Sequence, residues 1–131
     1  MKRGDLLRMR LELERGLDPN LSNKLAWTLL MCAAMLGNTS IGTLLLEHGA
    51  DPERQNQFGD TALSLASHTG HPSFARLLLE HGASLEGFPF GKSFEDFLEW
   101  VEKYGNGSAD AIKRTRSIVS AARIGSLHPE E

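Results

Sequence analysis

Leu44-Leu-Leu-Glu-His-Gly-Ala50 returns unchanged as Leu77-Leu-Leu-Glu-His-Gly-Ala83, an offset of 33 residues. The same interval upstream reaches Leu11, Leu13, Glu14 and Gly16. Gly4, Gly37 and Gly70 keep this spacing, as do Thr28 with Thr61 and Leu30 with Leu63. Segments 22–54 and 55–87 are identical at 14 of 33 positions, against about two or three expected from ordinary residue usage. A period of this size marks a repeat architecture, in which each unit buries its apolar face only against a neighbour.

Each unit reads as two helices. Thr28 and Thr61 stand where a helix should begin, with an oxygen able to accept from its unsatisfied N–H groups. First helices are predicted over 28–36 and 61–69, ending at Gly37 and Gly70 as left-handed caps. Asp5, Asn38 and His71 occupy the next N-cap position, and Pro72 follows at the first helical position. The second helices carry apolar residues at 41, 44 and 45 and at 74, 77 and 78, a helical stripe. Leu44, Leu45, Leu77 and Leu78 are predicted core. Gly16, Gly49 and Gly82 close these helices, with His48 and His81 complementing the last carbonyls.

A 33-residue unit of this content resembles the ankyrin repeat. The resemblance is carried by Asn56–Gly59, Thr61-Ala62-Leu63, Ala66, Gly70-His71, Leu77-Leu78 and Gly82-Ala83. The earlier copy matches at Thr28, Leu30, Ala33-Ala34, Gly37-Asn38, Leu44-Leu45, Gly49-Ala50 and Asp51. It covers residues 4 to about 87. It implies an all-α solenoid of stacked helix-turn-helix units with β-turn fingers between them. The family's threonine-proline-leucine-histidine tetrapeptide reads Thr28-Leu29-Leu30-Met31 and Thr61-Ala62-Leu63-Ser64 here. That puts the histidine's hydrogen bonds between repeats in question. Ala26 replaces the finger glycine that Gly59 keeps; a positive φ there would store about 1 kcal/mol.

The expected organisation is a half-repeat or cap over 1–21, full repeats over 22–54 and 55–87, a degenerate capping repeat over 88–124 and a disordered tail over 125–131. The half-repeat is either the start of a fragment or a natural cap, its outer face polar through Lys2, Arg3, Arg8, Arg10, Glu12 and Arg15. Residues 87–91 read as a loop, and Ser93-x-x-Asp96 as a capping-box-like start. Phe94, Phe97, Leu98 and Val101 form a helical stripe with Trp100 and Tyr104 beside it. A second loop ends on Ser108 as an N-cap. A last helix over 109–123 aligns Ile112, Thr115, Val119 and Ala122.

Charge divides the capping segment. Glu95, Asp96, Glu99 and Glu102 outweigh Lys103, whereas Lys113, Arg114, Arg116 and Arg123 outweigh Asp110. Pairing between neighbouring helices is one reading, and a basic docking face on the last helix is the other.

The 131 residues suffice for one compact domain or three to four repeats. The net charge of −3 argues against a basic nucleic-acid binder, and 40% apolar content supports a core. One cysteine excludes an internal disulfide and fits a reducing compartment, so the expected location is intracellular, cytoplasmic or nuclear. The most apolar run, 25–36, is short of the roughly 20 residues a membrane span needs. No phosphate loop, nucleophile elbow, HExxH or CxxC occurs. The chain reads as non-catalytic, with no cofactor or metal. Cys32 is expected to be a buried, inert thiol.

The resemblance also implies binding to another protein through finger tips and the exposed side of the first helix. Those positions are Lys24, Leu25, Trp27, Met35 and Leu36 in the first full repeat, and Gln57, Phe58, Asp60, His68 and Thr69 in the second. The expected result is one contiguous apolar patch rimmed by Lys24, Asp60 and His68, a signature of interaction surfaces. Trp27 and Leu36 could instead fold back on the finger or pack on an upstream repeat. Other readings are a structural segment of a larger enzyme or channel, an acidic partner or nucleic acid on the last helix, and self-association through the Trp27 patch.

Overall fold

A threonine oxygen opens the first helix of each full repeat. The computed structural model describes residues 3–85, 94–104 and 109–123. In it, Thr28 Oγ1 accepts from the Met31 N–H and Thr61 Oγ1 from the Ser64 N–H, both at 3.2 Å. Each satisfies an N–H that the helix itself cannot. Helices α2 (Leu29–Leu36) and α4 (Ala62–His68) follow. Asn38 Oδ1 accepts from the Ile41 N–H at 3.0 Å to start α3 (Thr39–Glu47), and Pro72 opens α5 (Pro72–Glu80). The Nδ1–H groups of His48 and His81 donate to the carbonyls of Leu44 (2.9 Å) and Leu77 (3.0 Å), closing α3 and α5.

Three more helices complete the described residues: α1 (Arg3–Glu14), α6 (Phe94–Tyr104) and α7 (Ala109–Arg123). Helix α1 packs on α3, α3 on α5 and α5 on α7, while α2 packs on α4 and α4 on α6. The pairs α2–α3, α4–α5 and α6–α7 join the two rows. The last pair thus continues the stack although its sequence has lost the repeat register. Between the rows lie Leu30, Met31, Ile41, Leu45, Leu63, Phe74, Leu78, Leu98, Val101 and Val119, all buried. Ile112 and Thr115 are buried as expected, and Ala122 is half-buried.

The finger turns rest on asparagine. Asn23 Oδ1 accepts from the N–H groups of Leu25 and Trp27, both at 3.0 Å. Asn56 Oδ1 accepts from Phe58 (2.9 Å) and Asp60 (3.0 Å) in the same way. Each finger then needs a left-handed residue. Gly59 supplies it at φ 80°, and Ala26 adopts it at φ 63°, the only non-glycine with positive φ among the described residues. A β-carbon is disfavoured there by about 1–2 kcal/mol. Ala26→Gly should therefore raise stability by about 1 kcal/mol and Tm by about 4 °C. An unchanged or lower Tm in a thermal melt would refute the strain.

Ser64, standing at the tetrapeptide's histidine position, supplies hydrogen bonds of its own. Its Oγ accepts from the Thr61 N–H at 2.9 Å and completes a reciprocal capping box. Its proton faces both the Thr61 carbonyl (3.0 Å) and Asp60 Oδ1 (3.1 Å). Hydrogen bonds between repeats come from elsewhere. Gln57 donates from its N–H to the Leu25 carbonyl and from Nε2 to the Lys24 carbonyl, at 3.0 and 3.1 Å. The Asp51 N–H donates to Asn20 Oδ1 (2.7 Å), and the His71 Nε2–H to the Met35 carbonyl (3.1 Å).

Four expectations need correction. Helix α1 already includes Arg3 and Gly4, so position 5 (Asp5) lies within it and is not its N-cap position. Leu7 and Leu11 are exposed on α1, so its surface is not purely polar, while Leu13 and the half-buried Leu6 and Met9 face the core. Leu77 is half-buried, whereas its repeat equivalent Leu44 is buried. Cys32 is half-buried, while its equivalent Leu65 is buried. The cause is coverage: α4 packs against α2, α5 and α6, but α2 mainly against α3 and α4. Partial burial still pushes the Cys32 thiol pKa up, which disfavours the reactive thiolate. The expected loops over 87–91 and 105–108, the Ser93 and Ser108 caps and the 125–131 tail lie outside the described residues.

Candidate functional site

Helices α4 and α6 lie side by side, and this brings together side chains far apart in sequence. The His68 and Trp100 rings approach to 5.5 Å between centroids, and Phe97 stacks on Trp100 at 6.3 Å. Met35 from α2 and the finger residues Phe58 and Asp60 close the other side. With Leu65 as a buried wall, these seven residues line a cavity of about 240 Å³. Phe58 is 64% exposed and Met35 39% exposed, so the cavity opens along the finger side.

Of the ten residues expected to form one patch, the cavity gathers Met35, Phe58, Asp60 and His68. Trp27 lines a different cleft of about 260 Å³ with Leu21, Ser22, Asn23, Thr28, Leu29 and Cys32. Half-buried Trp27 also packs against the core. Lys24, Leu25 and Leu36 are exposed without lining either cavity. Gln57 hydrogen-bonds the neighbouring finger as described above. Thr69 donates its hydroxyl to the Leu65 carbonyl at 2.7 Å, which fixes it within its own helix.

Phe97 and Trp100 were absent from the expected set. The apolar stripe of α6 marked Phe97 as core and placed Trp100 beside it. Nothing in the repeat register linked either residue to His68, because that register ends before α6 begins.

The cavity walls are apolar except for Asp60 and His68. Burial raises the Asp60 carboxyl pKa above its ordinary value, opposed by the Ser64 hydroxyl and by nearby His68. Among the described residues no lysine or arginine forms a salt bridge with Asp60.

The basic side of the molecule is organised differently. Pro72, Ser73 and Arg76 of α5 and Asp110, Lys113, Arg114, Ser117 and Ile118 of α7 border an opening of about 460 Å³. Its guanidinium groups have acidic neighbours: Arg114 lies 3.1 Å from Asp110 and Arg76 lies 3.8 Å from Glu80. Arg116 reaches Glu102 of α6 at 3.9 Å. Pairing within and between helices therefore offsets much of the expected basic face.

No cluster of three or more histidine, cysteine or acidic side chains suited to a metal occurs among the described residues. His71 spends one ring nitrogen on the Met35 carbonyl. No helix among the described residues is long and apolar enough to cross a membrane.

None of the curated proteins compared with the chain matches it significantly. Comparison with known families matches residues 2–87 to ankyrin repeats in three copies. Ankyrin repeats are generally protein-interaction modules and are typically non-catalytic. With the paired helices, the asparagine-based fingers and a family match over 2–87, the chain belongs to the ankyrin-repeat family.

Proposed function

We propose that the chain is a non-catalytic interaction module, an adaptor or regulatory binder, that grips a partner protein along its fingers and inner helices. The observation that carries this reading is the cavity between the Phe58 finger, α2, α4 and α6. It combines exposed apolar side chains with a rim of two polar groups, the pattern of an interaction site. Hydrogen bonds between fingers hold the surface in place before a partner arrives, so little ordering cost opposes binding. An intracellular setting fits the single, half-buried thiol.

Phe58→Ala tests the reading. Phe58 is mostly exposed, so its truncation should leave the melting curve unchanged. Loss of an aromatic anchor should weaken the partner by about 2 kcal/mol or more, roughly 30-fold. Affinity is measured for wild type and variant against one partner protein recovered in a pull-down with the full chain. Unchanged affinity would remove the groove from the account, and loss confined to Lys113→Ala would move docking to α7.

A further inference from the structure

We infer that the groove receives a basic side chain of the partner, a lysine or arginine, with its cation at Asp60 and its stem along Phe58, Met35 and Trp100. This rests on the groove being the interaction surface and adds the chemistry of what enters it. The cavity of about 240 Å³ suits one long side chain and falls below the range of drug-sized ligand sites. Lysine and arginine combine an apolar stem with a charged end, matching walls that are apolar but for one end.

Three further features favour a cation. Asp60 is a half-buried carboxylate in an apolar wall. Among the described residues one of its oxygens accepts from the Ser64 hydroxyl, a neutral donor, and the His68 ring lies nearby, but no lysine or arginine pairs with it. A charge held this way is better compensated by an opposite charge than by an apolar guest. Phe58, mostly exposed at the mouth of the cavity, also supplies an aromatic face, which attracts ammonium and guanidinium groups. Finally, Asp96, Glu99 and Glu102 are exposed on α6, against Lys103 on the same helix and Arg116 of α7, which reaches Glu102 at 3.9 Å. An acidic helix beside the cavity steers basic partners toward it and repels acidic ones.

The test is a random peptide library panned on the full chain, followed by titration of the selected peptides. Each is measured against wild type, Phe58→Ala and Asp60→Asn. Asparagine keeps an oxygen for the Ser64 hydroxyl and removes a charge that burial disfavours, so the variant should fold. Selected peptides should share a lysine or arginine, and replacing it with norleucine or glutamine should weaken binding about tenfold. Asp60→Asn should cost the basic peptide about the same and erase its advantage over the neutral one. Peptides that depend on Phe58 but lack a basic residue, or bind Asp60→Asn equally well, would overturn this inference alone. If no peptide depends on Phe58, the groove reading and the inference fall together.

Discussion

Phe74→Ala is expected to lower the unfolding free energy by about 3–5 kcal/mol, measured by urea denaturation. Phe74 is fully buried and is the largest such side chain among the described residues. It sits where α5 meets α3, directly over Gly42. A β-carbon placed on Gly42 would lie 2.6 Å from Phe74 Cε2 and 2.7 Å from Cζ. The two helices approach this closely because one side contributes a ring and the other nothing. Removing the ring leaves a cavity between repeats that the helix backbones cannot close without moving. Against the total of about 5–15 kcal/mol usual for a domain, the loss is large.

The same contact predicts a coupled pair. Gly42→Ala alone should destabilise: the ring is rigid and has no room for a methyl, and the clash outweighs alanine's helix preference of about 1 kcal/mol. In the Phe74→Ala background the obstacle is gone, and Gly42→Ala should stabilise. Additive effects in the double-mutant cycle would contradict the close approach.

Leu78→Ala carries the second large effect, about 2–5 kcal/mol. Leu78 is 0% exposed in the heart of the stack. Its neighbour Leu77 is half-buried, with a terminal carbon 3.0 Å from a β-carbon built on Gly42. Leu77→Ala should cost clearly less. Equal losses would mean that the two positions share the core as their sequence suggests. In a linear repeat stack each unit leans on its nearest neighbours, so damage at Leu78 should weaken the contacts of α5 with both α3 and α7.

That leucine pair shows how far the sequence reaches. Positions 44, 45, 77 and 78 carry the same residue in the same register, yet one of the four is half-buried. Periodicity fixes the direction of a side chain and not how deeply it is buried. Cys32 and Leu65 differ for the same reason. Features set by local chemistry were legible: the Thr28 and Thr61 caps, the Asn38 cap, the His48 and His81 closures and the left-handed Ala26. Each depends on residues within a few positions. The helices α6 and α7 were legible too, since amphipathic stripes need no register.

The meeting of Trp100 with His68 was not legible. It depends on how α6 lands on α4 after a connection that carries no repeat signal. The repeat register places the ten expected surface residues one repeat at a time and carries no information on their separation into a Phe58 cavity and a Trp27 cleft. The cavity draws three of its seven walls, Leu65, Phe97 and Trp100, from residues assigned elsewhere or to no role.

The chain has two tryptophans, one in each cleft. The most direct test follows their emission separately, in Trp27→Phe and Trp100→Phe variants, while a peptide selected on the full chain is added. Binding in the Phe58 groove should give a saturable shift from Trp100 and none from Trp27. A saturable shift from Trp27 with Trp100 unchanged would place binding in the other cleft and contradict the groove as the interaction surface.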